Sequence, residues 1–522
     1  MTNSWLVLTP PIIVLTLAFI TKRLNPSLIT GIVCAALIAS SFSPWGAAKL
    51  AGGHLVQKLT DIDSFFLYSF LIMLGTIVTL IIRTGGAAAF TSFASKRLKN
   101  AKMAETSSLL FSFSLFIDDY LSNSTVGYVM RPLTDRFKIT RAKLAFLVHS
   151  IATPLVVLAP ISGWSHMITD KLREVGITSA VGQKTAVIAN PYFTYIQSIP
   201  FIFYSFLMLV SVWFIVRRRI SYGPMKAHEI IAEKTGNLHG GKKDAIDSEK
   251  TTKHASGTLI DLFVPLITLV CAITTFTMGT EKFIKLLGIQ MEIGFLPLFL
   301  AGLTTLIVSF AFSIIRKKAK TQEIPKMLLG GVRLFVDAII MLFLASILGA
   351  LIQQNLMTGQ YLAKILIGGV SLALIPLMIF LVSSAIAIAT GTSWGTIAIM
   401  VPIAVPMAIT LSQVNLPTTI SSIALLLPTI GAVLSGAVCG DHISPVSETT
   451  IMAANSAGAT PVDHAATQFF YALPAVLCAC LAFFLSGLLR HYAGWINVSI
   501  SIGVSLTLCL AILHILNKSK RK

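Results

Sequence analysis

Charge is scarce in this chain. Asp, Glu, Lys and Arg make up 12% of its 522 residues, against 55% hydrophobic residues and a mean hydropathy of +0.82. Soluble domains carry roughly 25% charged residues, so the shortage excludes a soluble globular protein and points to a polytopic helical membrane protein. Acid is scarcer still, with 21 Asp and Glu against 40 Lys and Arg and a formal net charge of +19. In a soluble chain that excess would suggest nucleic acid. Here the basic residues stand in short runs between apolar spans, as orientation signals do, and no nucleic-acid partner is expected. Cysteine is sparse too: Cys34, Cys271, Cys439, Cys478, Cys480 and Cys509 lie in or beside apolar spans and read as inert packing residues. No G-x-x-x-x-G-K-[ST] loop is present, so the energy source should be an ion gradient. The stretch 5–20 lacks a basic leader and a small-residue cleavage site, and reads as a first membrane helix rather than a signal peptide.

Where acid is rare, a carboxylate inside apolar sequence carries weight. The run Gly440-Asp441-His442-Ile443-Ser444-Pro445-Val446-Ser447-Glu448-Thr449-Thr450 lies between apolar stretches 423–438 and 451–459. Each stretch is too short to cross a ~30 Å hydrocarbon core at about 1.5 Å per residue. Joined they would cross, with a polar, proline-broken centre that is tolerated only against protein or a water-filled cavity. Asp441, Ser444, Ser447 and Glu448 offer oxygen ligands for a small hard cation, and carboxylates that can take a proton instead. Glu448 reads equally as a charge at the start of the second half-helix. His442 reads as an orienter of Asp441 more than as a proton carrier.

Further spans are read at 5–20, 28–42, 65–82, 144–161, 195–216, 259–278, 295–315, 334–356, 469–489 and 496–516. Two regions do not fit single spans. The stretch 109–130 is cut by Asp118-Asp119-Tyr120 and Ser122-Asn123-Ser124, and 365–409 by Thr390-Gly391-Thr392-Ser393. Basic runs flank the first of these on both sides (Lys96-Arg97-Lys99-Lys102, then Arg131, Arg136, Lys138, Arg141, Lys143), so a re-entrant hairpin keeps both on the cytoplasmic side. With Lys22-Arg23, Arg217-Arg218-Arg219, Arg316-Lys317-Lys318-Lys320 and the basic tail also inside, the expected fold is an all-α polytopic membrane protein. It has about 11 transmembrane helices plus two re-entrant hairpins in the cell membrane, N-terminus outside and C-terminus cytoplasmic.

The segment 221–257 has no hydrophobic period and reads as a mobile cytoplasmic connector, with His239 and His254 as solvated residues. Its two sides echo each other. Leu74-Gly75 with Thr84-Gly85 matches Leu348-Gly349 with Thr358-Gly359, Met130-Arg131-Pro132-Leu133 matches Met400-Val401-Pro402-Ile403, and Pro160-Ile161-Ser162 matches Pro445-Val446-Ser447. An odd number of crossings in the first half makes the second inverted, which points to a midplane transport site. The expected organisation is a first repeat over 1–220 (hairpin 106–133, broken helix 143–163) and the connector. A second repeat over 258–490 follows (hairpin 372–411, broken helix 421–459), then an extra helix and basic tail over 491–522.

In the hairpins, one of Asp118 and Asp119 is expected to bind the ion or proton while the other caps a short helix. Ser122, Asn123, Ser162, Thr392 and Ser393 offer neutral oxygens, although Ser and Thr also bridge helices routinely. Gly391 and Gly395 allow a turn and close backbone approach. Pro160 and Pro445 break their helices and free carbonyls that can coordinate a cation. His149 reads equally as a packing histidine and as a proton relay. Trp394 reads as packing, and Asp135, near Arg131 and Arg136, as a surface cap or ion pair.

These motifs resemble the NhaC-type sodium/proton antiporter family, within the wider ion transporter superfamily. The matching stretches are Phe116-Ile117-Asp118-Asp119-Tyr120, the run 126–135, Leu158-Ala159-Pro160-Ile161-Ser162, Thr390-Gly391-Thr392-Ser393-Trp394-Gly395-Thr396, 440–450 and 467–474, and the resemblance covers roughly residues 60–490. It implies a scaffold and a transport core, with ion sites built from two hairpin tips and two broken helices. The chain departs from the family pattern at Ser122, at His149, where an Asp is usual, and at Ile443 and Glu448. The family also contains exchangers of organic anions. The reading is therefore a Na⁺/H⁺ antiporter with Na⁺ at Asp441 and at Asp118 or Asp119, needing no cofactor beyond the transported ions and having no enzymatic activity. A hydrolase built on Asp441, His442 and a serine is set aside, since sequence neighbours on a broken helix do not make a triad. The alternative is an ion-coupled exchanger of a small organic anion or amino acid. Scaffold helices of this kind of fold often pair, which leaves a homodimer open.

Overall fold

In hydrocarbon every backbone N–H and C=O must find its partner within its own segment, so a chain this apolar forms helices. The computed structural model describes residues 5–21, 24–95, 97–179, 185–242, 257–286, 295–358, 361, 371–445 and 447–518. Lys22-Arg23, Lys96, the 243–256 part of the connector with His254, Gly359 and the tail beyond Lys518 lie outside the described residues.

The first half runs α1 (Thr9–Thr21), α2 (Leu24–Ala39), α3 (Pro44–Leu59), α4 (Ile62–Arg83), α5 (Gly86–Ser95), α6 (Ala101–Ser114), α7 (Asp119–Arg136), α8 (Arg141–Leu158) and α9 (Gly163–Glu174). A two-residue parallel pair, β1 (Ile177–Thr178) and β2 (Val187–Ile188), leads to α10 (Pro191–Ser198), α11 (Phe203–Arg218) and α12 (Gly223–Thr235). The second half runs α13 (Leu259–Leu286), α14 (Leu296–Ile315), α15 (Ile324–Ala350), α16 (Ile375–Thr390), α17 (Ser393–Leu411), α18 (Leu426–Ile443), α19 (Glu448–Ala457), α20 (Pro461–Leu488) and α21 (Gly494–Lys518).

Among the described residues, eight helices are long and apolar enough to cross a membrane: α4, α8, α13, α14, α17, α18, α20 and α21. A ninth candidate is the pair Pro191–Phe201 and Phe203–Thr235, bent by 49°, and three shorter apolar helices lie at Trp5–Val14, Asn25–Ala39 and Leu372–Ile388. Four helices fall where the sequence reading has none. α3 opens on Pro44 behind a Ser43 cap, α5 follows the left-handed Gly85, and α9 opens on a Ser162–Ser165 capping box just where the apolar run stops. α12 lies inside the supposed mobile connector, with Met225 and Ala232 fully buried, and ends at the left-handed Gly236.

Burial separates inner helices from outer ones. The spans of α8, α17 and α18 are 89%, 94% and 89% buried, whereas α13 and α14 are 39% and α21 only 22%. The inner group packs at backbone distance. A Cβ on Gly440 would stand 2.3 Å from the Ser384 carbonyl, and one on Gly436 2.6 Å from that of Phe380, so α18 lies directly on α16 through small residues.

The two halves share one frame. α8 and α18 start 426 − 141 = 285 residues apart and end 443 − 158 = 285 apart, and α9 and α19 begin 448 − 163 = 285 apart. Each break closes on a serine cap, Ser162 or Ser447. The hairpin arms α7 and α17 are capped by Asp118 and Thr392, 274 residues apart. Gly163 N donates to Ile117 O (3.3 Å) and Glu448 N to Gly391 O (3.2 Å), tying each hairpin tip to the second half-helix in its own half of the chain in the same way. Aligned on those caps, Pro132 falls on Pro406 (406 − 132 = 274), one helical turn beyond the Pro402 chosen from the sequence.

Candidate functional site

Asp441 sits in the last turn of α18 and is 1% exposed. Ser447 and Thr449, on either side of the α19 start, both donate hydroxyl hydrogen bonds to its carboxylate, Thr449 to Oδ2 at 2.5 Å. Thr450 Oγ1 donates to the Asp441 carbonyl at 3.2 Å, so the break folds back around the acid. Ser393, first residue of α17, donates to the Ala437 carbonyl of α18 at 3.3 Å. Helix α8 contributes His149, whose Nε2 is 3.0 Å from Thr449 Oγ1 and 3.6 Å from Asp441 Oδ2. Its Nδ1 is 3.0 Å from Nε2 of His464 on α20.

Hydroxyl bookkeeping orders these protons. With Asp441 ionised, Thr449 gives it its only proton and must accept from His149 Nε2–H. Neutral His149 then accepts at Nδ1 from His464 Nε2–H. His464 Nδ1 is left buried and without a hydrogen-bond partner among the described residues. A chain of hydrogen bonds thus runs from the acid through α8 to α20.

His442 is not the orienter that its sequence position suggested. Its Nδ1 is 3.0 Å from the Tyr204 hydroxyl of α11, and its ring stands edge-on to His149 with centroids 4.6 Å apart. Neighbours in an α-helix point about 100° apart, so His442 cannot follow Asp441 to the same face. Orientation of the acid falls to Ser447, Thr449 and His149.

Asp118 caps α7, accepting from Leu121 N at 2.8 Å, and Asp119 Oδ1 accepts from Trp164 Nε1 at 3.2 Å. Both Oδ2 atoms are buried and without hydrogen-bond partners among the described residues, as are Ser122 Oγ and both polar atoms of Asn123. Glu448 occupies the first turn of α19, behind the Ser447 cap, and its Oε2 accepts from the Tyr120 hydroxyl at 2.6 Å. Ser444 donates to the Ile388 carbonyl at 2.8 Å, joining the break to the hairpin arm.

Several expected ligands have other duties. Ser162 donates to the Val156 and Ala159 carbonyls and accepts from Ser165 N, so it closes the first break on itself. Thr392 caps α17 by accepting from Gly395 N at 3.3 Å, and Gly391 takes the left-handed φ of +71° that its turn requires. Pro160 and Pro445 break their helices but face outward, and the Pro160 carbonyl accepts from the Tyr192 hydroxyl at 3.2 Å. Trp394 is packing, edge-on to Trp164 at 6.0 Å. Asp135 pairs with Arg141 at 3.5 Å, while Arg131 lies against Gly458 at the end of α19. The run Gly391-Thr392-Ser393-Trp394-Gly395 has the G-x-S-x-G spacing of hydrolases, but it joins two helices rather than a strand to a helix, and among the described residues no histidine hydrogen-bonds Ser393, which donates to the Ala437 carbonyl.

Sequence reasoning missed Thr449, His464, Tyr204, Tyr120 and Trp164. Thr449 lay within the motif but looked like one hydroxyl among several, and His464 stands at the start of a helix whose apolar run begins later. Among the described residues no three His, Cys, Asp or Glu side chains are grouped to hold a metal ion. A cation here would take hydroxyl and carbonyl oxygens beside a carboxylate.

The sequence profile of the Na⁺/H⁺ antiporter family matches residues 174–488. An uncharacterized protein of Haemophilus influenzae is 29% identical over 493 residues, covering 92% of this chain and 90% of that one. Shorter similarities cover 20% of each chain: 33% identity to an uncharacterized Na⁺/H⁺ antiporter of H. influenzae, and 28% to the malate-2H⁺/Na⁺-lactate antiporter of Bacillus subtilis. The YdaH transporter of Alcanivorax borkumensis shares the fold, with a TM-score of 0.50 at 13% identity over 87% of this chain and 88% of that one. A multi-pass helical protein whose family profile spans the second hairpin, the second break and Asp441, this chain belongs to the Na⁺/H⁺ antiporter family and is a secondary transporter.

Proposed function

We propose that this transporter exchanges Na⁺ for protons at Asp441 by alternating access. The observation that carries the reading is the surroundings of that carboxylate: it is buried and held by hydroxyls and a histidine, and among the described residues no lysine or arginine pairs with it. An acid without a fixed counter-charge at membrane depth needs either a proton or a cation. Na⁺ and H⁺ would occupy the same oxygens in turn, one leaving as the other arrives. Ser447, Thr449 and Ser393 would turn their oxygens toward the cation, and the remaining Thr449 lone pair would go on accepting from His149 Nε2–H. Asp118 or Asp119, with Ser122 and Asn123, would supply the hairpin side. The reading takes residues 1–220 and 258–490 as inverted repeats, with the N-terminus outside and the C-terminus in the cytoplasm, from the distribution of basic runs.

A second reading, exchange of a small organic anion, is favoured by one observation. The Trp394 indole N–H is buried without a hydrogen-bond partner among the described residues, at the N-terminus of α17, where a carboxylate would be welcome. The partial match to the malate-2H⁺/Na⁺-lactate antiporter fits it as well. Inverted vesicles separate the two. Addition of Na⁺ or Li⁺ alone should dissipate an imposed pH gradient. A gradient that collapses only when an organic acid is also present would replace the first reading by the second.

A further inference from the structure

The segment between the repeats carries more structure than a connector needs. From Ile220 to Lys242 it forms α12 and a tight turn, with Ile220, Met225 and Ala232 fully buried. Three contacts fasten it to the start of α8. Lys143 Nζ is 2.8 Å from Glu229 Oε1, Arg141 N donates to the Leu238 carbonyl at 3.2 Å, and Thr140 Oγ1 lies 3.8 Å from Met225 Sδ. Three more fasten it to α20. Lys242 Nζ is 2.6 Å from Asp463 Oδ1, the Tyr471 hydroxyl donates to the Ile220 carbonyl at 3.2 Å, and the Tyr222 and Tyr471 rings stack at 4.5 Å, 5° from parallel. The turn is braced from within by Asn237 Oδ1, which accepts from His239 N and Gly241 N. The Lys143 side chain is 2% exposed, so parting it from Glu229 while it stays buried is costly.

The two helices so joined are those that bring His149 and His464 to Asp441. His149 lies six residues beyond Lys143, about 9 Å along the α8 axis. His464 follows Asp463 directly, and one turn deeper Gln468 Nε2 donates to Ser150 Oγ at 3.2 Å, again between α20 and α8. The segment therefore spans the same two helix starts between which the hydrogen-bond chain from Asp441 ends. At its other end, Arg219 and Gly223 both take left-handed backbone, φ +49° and +57°, which gives the chain a sharp corner as it leaves α11.

We propose that residues 220–242 are a lid over the entrance to the transport site, held shut by the Lys143–Glu229 and Lys242–Asp463 pairs, which must lift for the site to exchange with solution on that side. The inference rests on Asp441 as the transport site. Failure of that reading shows as transport surviving Asp441→Asn, whereas the lid is read by thiol labelling, which needs no transport.

The experiment places a single cysteine at Gln468→Cys in an otherwise cysteine-free protein. A membrane-impermeant maleimide is applied to inverted vesicles. Labelling should be slow with the lid intact and about tenfold faster when Glu229→Gln and Lys242→Ala release both pairs. The swap of Lys143→Glu with Glu229→Lys should return it toward the slow rate. Equal rates in all three overturn the lid. A second arm does not depend on weakened variants: Arg141→Cys with Leu238→Cys, whose backbones already touch, is oxidised to a disulfide. Exchange should stop on oxidation and return on reduction. Unchanged exchange in the fully cross-linked protein overturns the lid as well.

Discussion

The two breaks have one geometry and different chemistry. Each follows an 18-residue helix, and each ends on a serine cap. At the position of Asp441 the first break has Val156 (441 − 285 = 156), and at that of Thr449 it has Trp164 (449 − 285 = 164). The hairpins reverse the assignment: Asp118 and Asp119 in the first stand where Thr392 and Ser393 stand in the second (392 − 118 = 274, 393 − 119 = 274). The acids thus stand on the hairpin in the first half and on the break in the second, where Ser447 and Thr449 of the same break donate to Asp441. The matching frame of the two halves supplies four helix N-termini and two interrupted spans, while single residues decide where negative charge sits. The first break satisfies its own polar groups and reads as framework. The second leaves an acid that must find a proton or a cation.

The largest effect should come from Asp441→Asn, which keeps volume but removes the charge and the exchangeable proton. We expect at least about a 100-fold loss of Na⁺-driven pH-gradient dissipation, equivalent to about 2.7 kcal/mol, with normal membrane abundance. Exchange close to wild type in that variant would move the site to the first hairpin and undo the contrast.

Next comes pH. Na⁺ can bind only when the shared carboxylate is free of its proton, so the apparent Michaelis constant for Na⁺ should fall as pH rises. The fall should reach about tenfold per pH unit for each displaced proton and level off once the acid is ionised. A constant that stays flat between about pH 6 and about pH 9 would rule out proton competition and favour the anion reading.

The matched pair Ser447→Ala and Ser162→Ala tests the contrast itself. Both remove a helix cap worth about 1 kcal/mol, so both should lower the thermal midpoint in detergent, Ser447→Ala by the larger amount. Only Ser447→Ala also removes a hydrogen bond to the Asp441 carboxylate, a loss of about 1.5–3 kcal/mol at the site. It alone should raise the Michaelis constant for Na⁺ strongly. Equal transport defects would mean that the two breaks do the same work.

The smallest expected effect separates the hairpin acids. Asn caps a helix about as well as Asp, so Asp118→Asn should change stability by no more than a few tenths of a kcal/mol. Asp119→Asn removes the other charge near the site and should impair exchange more, measured in the same vesicles. The reverse order would make Asp118 the ion ligand and Asp119 the framework residue.

Much of this was legible in the chain. Scarce charge and long apolar runs dictated membrane helices, the polar islands marked hairpins and breaks, and Pro-x-Ser at 160–162 and 445–447 stands 285 residues apart, as do the starts of α8 and α18. Helices without an apolar stripe were not legible. α9 opens on a capping box beyond the apolar run, and α12 with the turn after it is held by two buried residues and ion pairs between residues 86 and 221 positions apart.

By itself the sequence determined the membrane helices, the interrupted spans and the acids within them, because burial in hydrocarbon penalises every unpaired polar group and local spacing records where such groups stand. The tertiary structure alone decided which groups meet. His149, Thr449 and His464 belong to three different helices, with His149 300 and 315 residues from its two partners, and only the packing of α8, α19 and α20 brings them to Asp441. It also turned His442 toward Tyr204 and closed Ser162 on its own break, since a side chain's direction follows from the helix that carries it and the surface that the helix buries.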